Sequence, residues 1–150
     1  MEKNGLYILL SNTGEATKYH WGILIATNST SGILFHQALI GTHWTYVVEN
    51  EEISKSPDVL GALKVGVVEG VEDEWIDAIK TCLREVTVHE EFTFRTWLLA
   101  GLYELASQGY IGLMPDWPTI REIEQEAKDL AADAYYKRHR PILMSRWYRA

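Results

Sequence analysis

The chain predicts an α+β domain, a five-stranded and mostly antiparallel sheet followed by three helices. Three observations carry that reading. The first half holds five short runs rich in Ile, Val, Leu, Trp and Tyr, each bounded by turn-forming clusters. The second half holds three stretches whose apolar residues recur at helical spacing. Strands gathered before helices, rather than alternating with them, are the mark of this class. At 150 residues the chain suits one domain, residues 1 to 150, with a core large enough to need no covalent staple.

The predicted strands are Leu6 to Leu10, His20 to Thr27, Ile33 to Leu39, His43 to Glu49 and Leu63 to Val68. Asn28-Ser29-Thr30-Ser31-Gly32 and Gly41-Thr42 read as hairpin connections, and residues from Glu51 to Pro57 as a polar loop. Connections this short join antiparallel neighbours. The first predicted helix runs from Glu72 to Val86, with Trp75, Ile76, Ile79, Leu83 and Val86 on its apolar stripe. The second runs from about Phe94 to Gln108, capped by Thr93 and ended by Gly109 in the left-handed conformation. The third carries Ile120, Ile123, Ala127, Leu130 and Ala134. Pro118 lies in its first turn, Thr119 and Glu122 offer a capping box, and Pro141 lies beyond its end.

Composition narrows the function classes. A hydrophobic share of 47% and a charged share of 23% describe an ordinary globular protein. The net charge of −7 argues against nucleic acid as a partner, since backbone binding needs surplus Lys and Arg. No apolar run approaches the roughly 18 residues of a membrane span. The opening Met1-Glu2-Lys3-Asn4 leads directly into a strand-like run, and a single cysteine, Cys82, makes no internal disulfide. Cytoplasm is the expected compartment. The stretch 137–150 reads as a basic tail with Lys137, Arg138, Arg140, Arg146 and Arg149 and no acid, leaving −12 on the residues before it. Such a tail either complements the acidic helix ahead of it or supplies Arg138 and Arg140 as bidentate anchors for a carboxylate.

Two histidines stand out. His20 shares a strand face with Gly22, Leu24 and Ala26, and His36 shares one with Leu34 and Ala38. A turn centred on Asn28 sets them directly opposite each other. One centred nearer Thr30 leaves them about four residues, on the order of 13 Å, apart. Each is beside an aromatic, Trp21 and Phe35. Trp44 and Tyr46 alternate on one strand face, while Phe94 and Trp97 open the helix expected to pack over the sheet. These aromatics are either core or the walls of a pocket. No Cys/His spacing suits a metal, and no glycine-rich phosphate loop or Gly-x-Ser-x-Gly elbow is present.

The stretches Tyr19-His20-Trp21-Gly22-Ile23 and Gly32-Ile33-Leu34-Phe35-His36 resemble the histidine strands of circularly permuted papain-like proteins of the lecithin–retinol acyltransferase type. The resemblance extends through Gly41-Thr42-His43-Trp44-Thr45-Tyr46 and Phe92-Thr93-Phe94-Arg95-Thr96-Trp97 to Leu102, Leu105, Gly109 and Ile111, over about residues 5 to 135. Over that span the chain looks like a group of small uncharacterised fungal proteins built on the same plan. The resemblance implies a permuted papain-like scaffold with His20 as base and His36 as its orienting residue. The nucleophile position, a cysteine opening the helix before a Trp, falls on Phe94, which cannot attack anything. Cys82, late in its helix beside acids, reads as core filler rather than a replacement.

Three functions follow as expectations. One is a cofactor-independent enzyme on a hydrophobic small molecule, performing cyclisation or isomerisation such as pericyclic ring closure in fungal secondary metabolism. His20 and His36 would be its catalytic groups. Trp21, Trp44, Tyr46, Phe94 and Trp97 would form its substrate pocket, with Arg138 or Arg140 on a substrate carboxylate if the tail folds back. Shape alone can supply roughly 7–11 kcal/mol by holding a near-attack conformer. The second is a catalytically dead module that binds a small molecule. The third is a cysteine acyltransferase or hydrolase using Cys82. Neither cofactor nor metal is expected.

Overall fold

The run Gly5 to Asn12 is apolar at consecutive positions, and in the computed structural model it forms strand β1 (Gly5–Asn12) with both faces covered. The structure describes residues 1–15, 18–137 and 139–149. The other strands are β2 (Tyr19–Ala26), β3 (Ser31–Ile40), β4 (His43–Glu52), β5 (Val59–Val67) and β6 (Ile142–Met144). They form one sheet in the order β4-β3-β2-β1-β5-β6, antiparallel except where β6 lies parallel to β5. The helices are α1 (Asp73–Arg84), α2 (Phe94–Ser107) and α3 (Trp117–Lys137).

Among the described residues the sheet therefore has six strands, not the five expected. The extra one, β6, has three exposed residues and follows Pro141, so it shows no alternation to read. Docking holds it in place: Ala62 donates its N–H to the Pro141 carbonyl at 3.0 Å, and Ser145 donates to Lys64 at 2.9 Å. A Cβ on Gly61 would stand 2.6 Å from that Pro141 carbonyl, so β5 is glycine where β6 approaches. Residues 51–57 are also more ordered than a polar loop. β4 continues to Glu52 and Ile53 turns inward in a 3-10 turn, Ile53–Lys55.

All three helices contribute to the core on one face of the sheet. Trp97, Leu98, Leu102 and Leu105 of α2 are at most 1% exposed and pack with Ile23, Ile25 and Phe35. Burial at roughly 1.5–3 kcal/mol per side chain makes this a far stronger anchor than any helix cap. A smaller apolar cluster covers the opposite face, with Tyr7, Leu9, Leu24 and Leu34 among its members. Thr93 caps α2 and accepts from the Thr96 N–H at 3.0 Å, while Gly109 beyond its end has φ +81°. At α3 the capping residue is Asp116 rather than Thr119: its carboxylate accepts from the Thr119 N–H at 2.8 Å, placing Thr119 inside the first turn.

Beyond α3 the described part of the basic segment folds back. Arg146 pairs with Glu122, and Ser145 donates to Glu126 at 2.5 Å. Lys137 pairs with Asp133 at 3.0 Å. Basic residues thus meet the acids of α3. No helix among the described residues is long and apolar enough to cross a membrane.

Candidate functional site

The β2–β3 ladder runs only from Ala26↔Gly32 to Ile23↔Phe35, whereas β3 and β4 stay paired to Ile40↔His43. Past Phe35 the β3–β4 ribbon therefore runs without ladder bonds to β2, and His20 stands beside this opening. The register centres the turn on Ser29, between the two alternatives considered from sequence. It sets Gly22, not His20, level with His36. A Cβ on Gly22 would lie 3.5 Å from His36 Cβ and 2.7 Å from Leu34 Cδ1. The missing side chain leaves the diagonal open, and His20 reaches His36 across it.

His36 Nδ1 and His20 Nε2 are 3.2 Å apart, and His36 Nε2 is 3.1 Å from Glu49 Oε1. Glu49 is two residues along β4 from Val47, the partner of His36, so it shares the His36 face. On the His20 ring a hydrogen bond to the Gln37 backbone favours the protonated form. Acceptors thus stand at both ends of the chain. The tautomers of the two rings set which nitrogen donates in the contact between them. Burial, and then the His36 charge, push the His20 pKa below the usual histidine value, against smaller raising effects from Gln37 and Glu49. His20 is accordingly held as the neutral ring.

The His20 ring also lies 4.7 Å from the ring of Phe94, the first residue of α2. Phe94 in turn meets Trp44 edge to face at 4.8 Å. Beside them opens a cleft of about 770 Å³, walled by Tyr19, Trp21, Trp44 and Phe94, with Lys18, Arg95 and Lys128 alongside Glu15 and Asp129. His20 does not line it; Phe94 touches both the cleft and the imidazole.

The structure thus brings His20, His36, Trp44 and Phe94 together, with Trp21 on the cleft wall. Tyr46 and Trp97 pack 5.9 Å apart deeper in the core and do not line the cleft. The Tyr46 hydroxyl donates to the Lys80 carbonyl at 3.0 Å, and burial pushes its pKa up. Arg140 is away from the cleft, donating to the Ile53 and Ser56 carbonyls at 2.8 and 2.7 Å. Arg138 lies outside the described residues. Cys82 is 8% exposed among core side chains, and burial, then Glu104 and Glu85, push its thiol up to about 11. Among the described residues no group of three or more His, Cys, Asp or Glu side chains is arranged to hold a metal ion.

Sequence reading missed Glu49 and the cations of the cleft. Glu49 was within reach of it, because the two-residue turn Gly41-Thr42 pairs Ile40 with His43 and so fixes His36 against Val47. Arg95 and Lys128 carried no such signal. They converge through Glu124, which lies 3.1 Å from Arg95 and 3.4 Å from Lys128.

Fold and site together define an α+β domain in which a carboxylate–imidazole–imidazole chain reaches the residue that walls an aromatic cleft. Comparison of the chain with protein-family models, with curated proteins and with solved structures finds no match.

Proposed function

We propose that the chain is a cofactor-independent enzyme acting on a hydrophobic small molecule, and that it catalyses a cyclisation or isomerisation of the pericyclic ring-closure kind. One observation carries the reading: an imidazole pair fit to donate or accept a proton touches the aromatic wall of a cleft of ligand size. Tyr19, Trp21, Trp44 and Phe94 would fold an apolar substrate by shape. His20 would hydrogen-bond a developing oxyanion by exchanging its bond to His36 for one to the substrate. The permuted papain-like plan belongs to the same proposal. It is supported by Phe94 opening α2 beside His20, with His36 next in the chain. A role in fungal secondary metabolism rests on the resemblance alone, and a cytoplasmic setting on composition.

The test is product analysis by mass spectrometry with a panel of linear polyene and prenylated aromatic substrates, with and without a carboxylate. Wild type should give isomers of unchanged mass, and His20→Ala should lose at least tenfold in kcat. Full turnover in both His20→Ala and His36→Ala would remove the imidazoles from the mechanism.

A second reading is favoured by the position of Phe94 between His20 and the cleft. A module that only binds needs the aromatic walls and no access to the imidazole. Tight binding without turnover across the panel would select it. Use of Cys82 as a nucleophile has the buried, high-pKa thiol against it.

A further inference from the structure

A second cleft, of about 860 Å³, opens between α1, α2 and the loops that follow them, and it differs in chemistry from the one beside Phe94. Asp77, Glu85 and Glu104 line it, with no Lys or Arg among its lining residues. Asp77 has only a long ion pair, 3.9 Å to Lys80. Glu104 accepts one side-chain hydrogen bond, from Gln108 at 3.3 Å, and pairs with no cation among the described residues. Tyr103 and Trp117 stack 5.0 Å apart with planes within 10°, and Tyr110 adds a third ring to the wall. Trp117 already receives a cation elsewhere: the Arg121 guanidinium lies 5.4 Å from its ring. The Cys82 side chain, nine-tenths buried, also lines the cleft.

We propose that this cleft binds a small organic ammonium compound, an amine carrying an aromatic or aliphatic body. Carboxylates with a single long ion pair between them among the described residues supply the counter-charge, and aromatic faces attract both the charge and the apolar body. A bare metal ion fits less well, since these side chains are not grouped as metal ligands. The volume lies in the range of small-molecule sites, roughly 300–1,000 Å³. Burial, and after it the charges of Glu104 and Glu85, raise the Cys82 thiol, so both carboxylates act on the wall of the cleft. The inference stands apart from the function proposed above, because none of its residues belongs to the imidazole chain or the Phe94 cleft.

The experiment is a titration of the full chain followed by amide NMR, using phenethylammonium chloride, phenethyl alcohol as its neutral counterpart and sodium phenylacetate as its anionic one. Phenethylammonium should give saturable shifts confined to residues 77–89 and 100–117. The alcohol should bind at least fivefold more weakly and phenylacetate not at all. Glu85→Gln combined with Glu104→Gln should weaken the ammonium at least tenfold, with an unchanged melting temperature as the folding control. Should that pair fail to fold, wild type titrated at 20 and 300 mM NaCl supplies the charge test, with several-fold weaker binding expected at the higher salt. Equal affinity for amine and alcohol, shifts centred on Phe94, no saturable shift, or indifference to both charge tests would overturn the proposal.

Discussion

Replacing Phe94 by cysteine puts a thiol at the first position of α2, next to the His20 imidazole that burial keeps neutral. Both features favour a thiolate: a helix N-terminus lowers a cysteine pKa from about 8.5 into a range of about 3.5–7.5, and a neutral imidazole alongside serves as the base that takes the thiol proton. At a pKa of about 7 the thiolate fraction at pH 7 rises from roughly 3% to roughly half, about sixteenfold. Lower basicity takes back about fivefold in intrinsic nucleophilicity, for a Brønsted slope of about 0.45. The net gain over an unperturbed thiol is roughly threefold at pH 7 and about sixfold at pH 6. Cys82 supplies almost no background, because with its pKa near 11 only on the order of one thiol in ten thousand is ionised at pH 7. The assay is the iodoacetamide alkylation rate by intact mass at pH 6 and 7, with wild type as the blank and the urea-unfolded variant as reference. Adding His20→Ala should return much of the gain. A native Phe94→Cys thiol that reacts no faster at pH 6 than the unfolded one would refute the reasoning.

Because burial keeps His20 neutral in the fold, the unfolded chain binds more protons once pH drops below about 6.5, and stability falls with pH there. In urea melts at pH 7.5 and 5.5, the advantage of wild type over His20→Phe should shrink on acidification; an advantage that grows would mean the fold prefers the imidazolium. Glu124, 8% exposed, takes Arg95, Arg121 and Lys128 at 3.1, 3.2 and 3.4 Å. Its three partners are partly solvated, so Glu124→Ala should cost about 2 kcal/mol rather than the larger loss of a fully buried pair. Calorimetry should show this as a melting point lower by roughly 4–8 °C. Gly61→Ala drives a methyl into the Pro141 carbonyl. It should free β6, seen as faster amide exchange at 142–144 with β1 unaffected, at a cost of about 1–3 kcal/mol.

Where local pattern decides structure, the sequence was a good guide. Apolar runs and turn residues locate β1 to β5, though β5 begins at Val59 rather than Leu63, and the Thr93 cap and Gly109 bracket α2. β4 was cut short because Asn50, Glu51 and Glu52 are polar, as suits a strand at the sheet edge. β6 has no pattern of its own and exists through its dock on β5. At the site, alternation says which face a side chain takes but not how deep it sits. That is why Trp44 reaches the cleft while Tyr46, on the same face, hydrogen-bonds a helix carbonyl. The meeting of His20 with His36 depended on a single step of hairpin register, which five turn residues of similar character do not specify. Arg140 was free to be an anchor only until the loop carbonyls of Ile53 and Ser56 claimed it.

The early end of the β2–β3 ladder couples chemistry to shape. Past Phe35 no amide rungs tie the ribbon to its neighbour, and the span is bridged by rings whose hold depends on their protons. The same two rings therefore fasten to β2 the two-stranded ribbon that carries Trp44, so groups read as chemistry also hold a wall of the cleft in place.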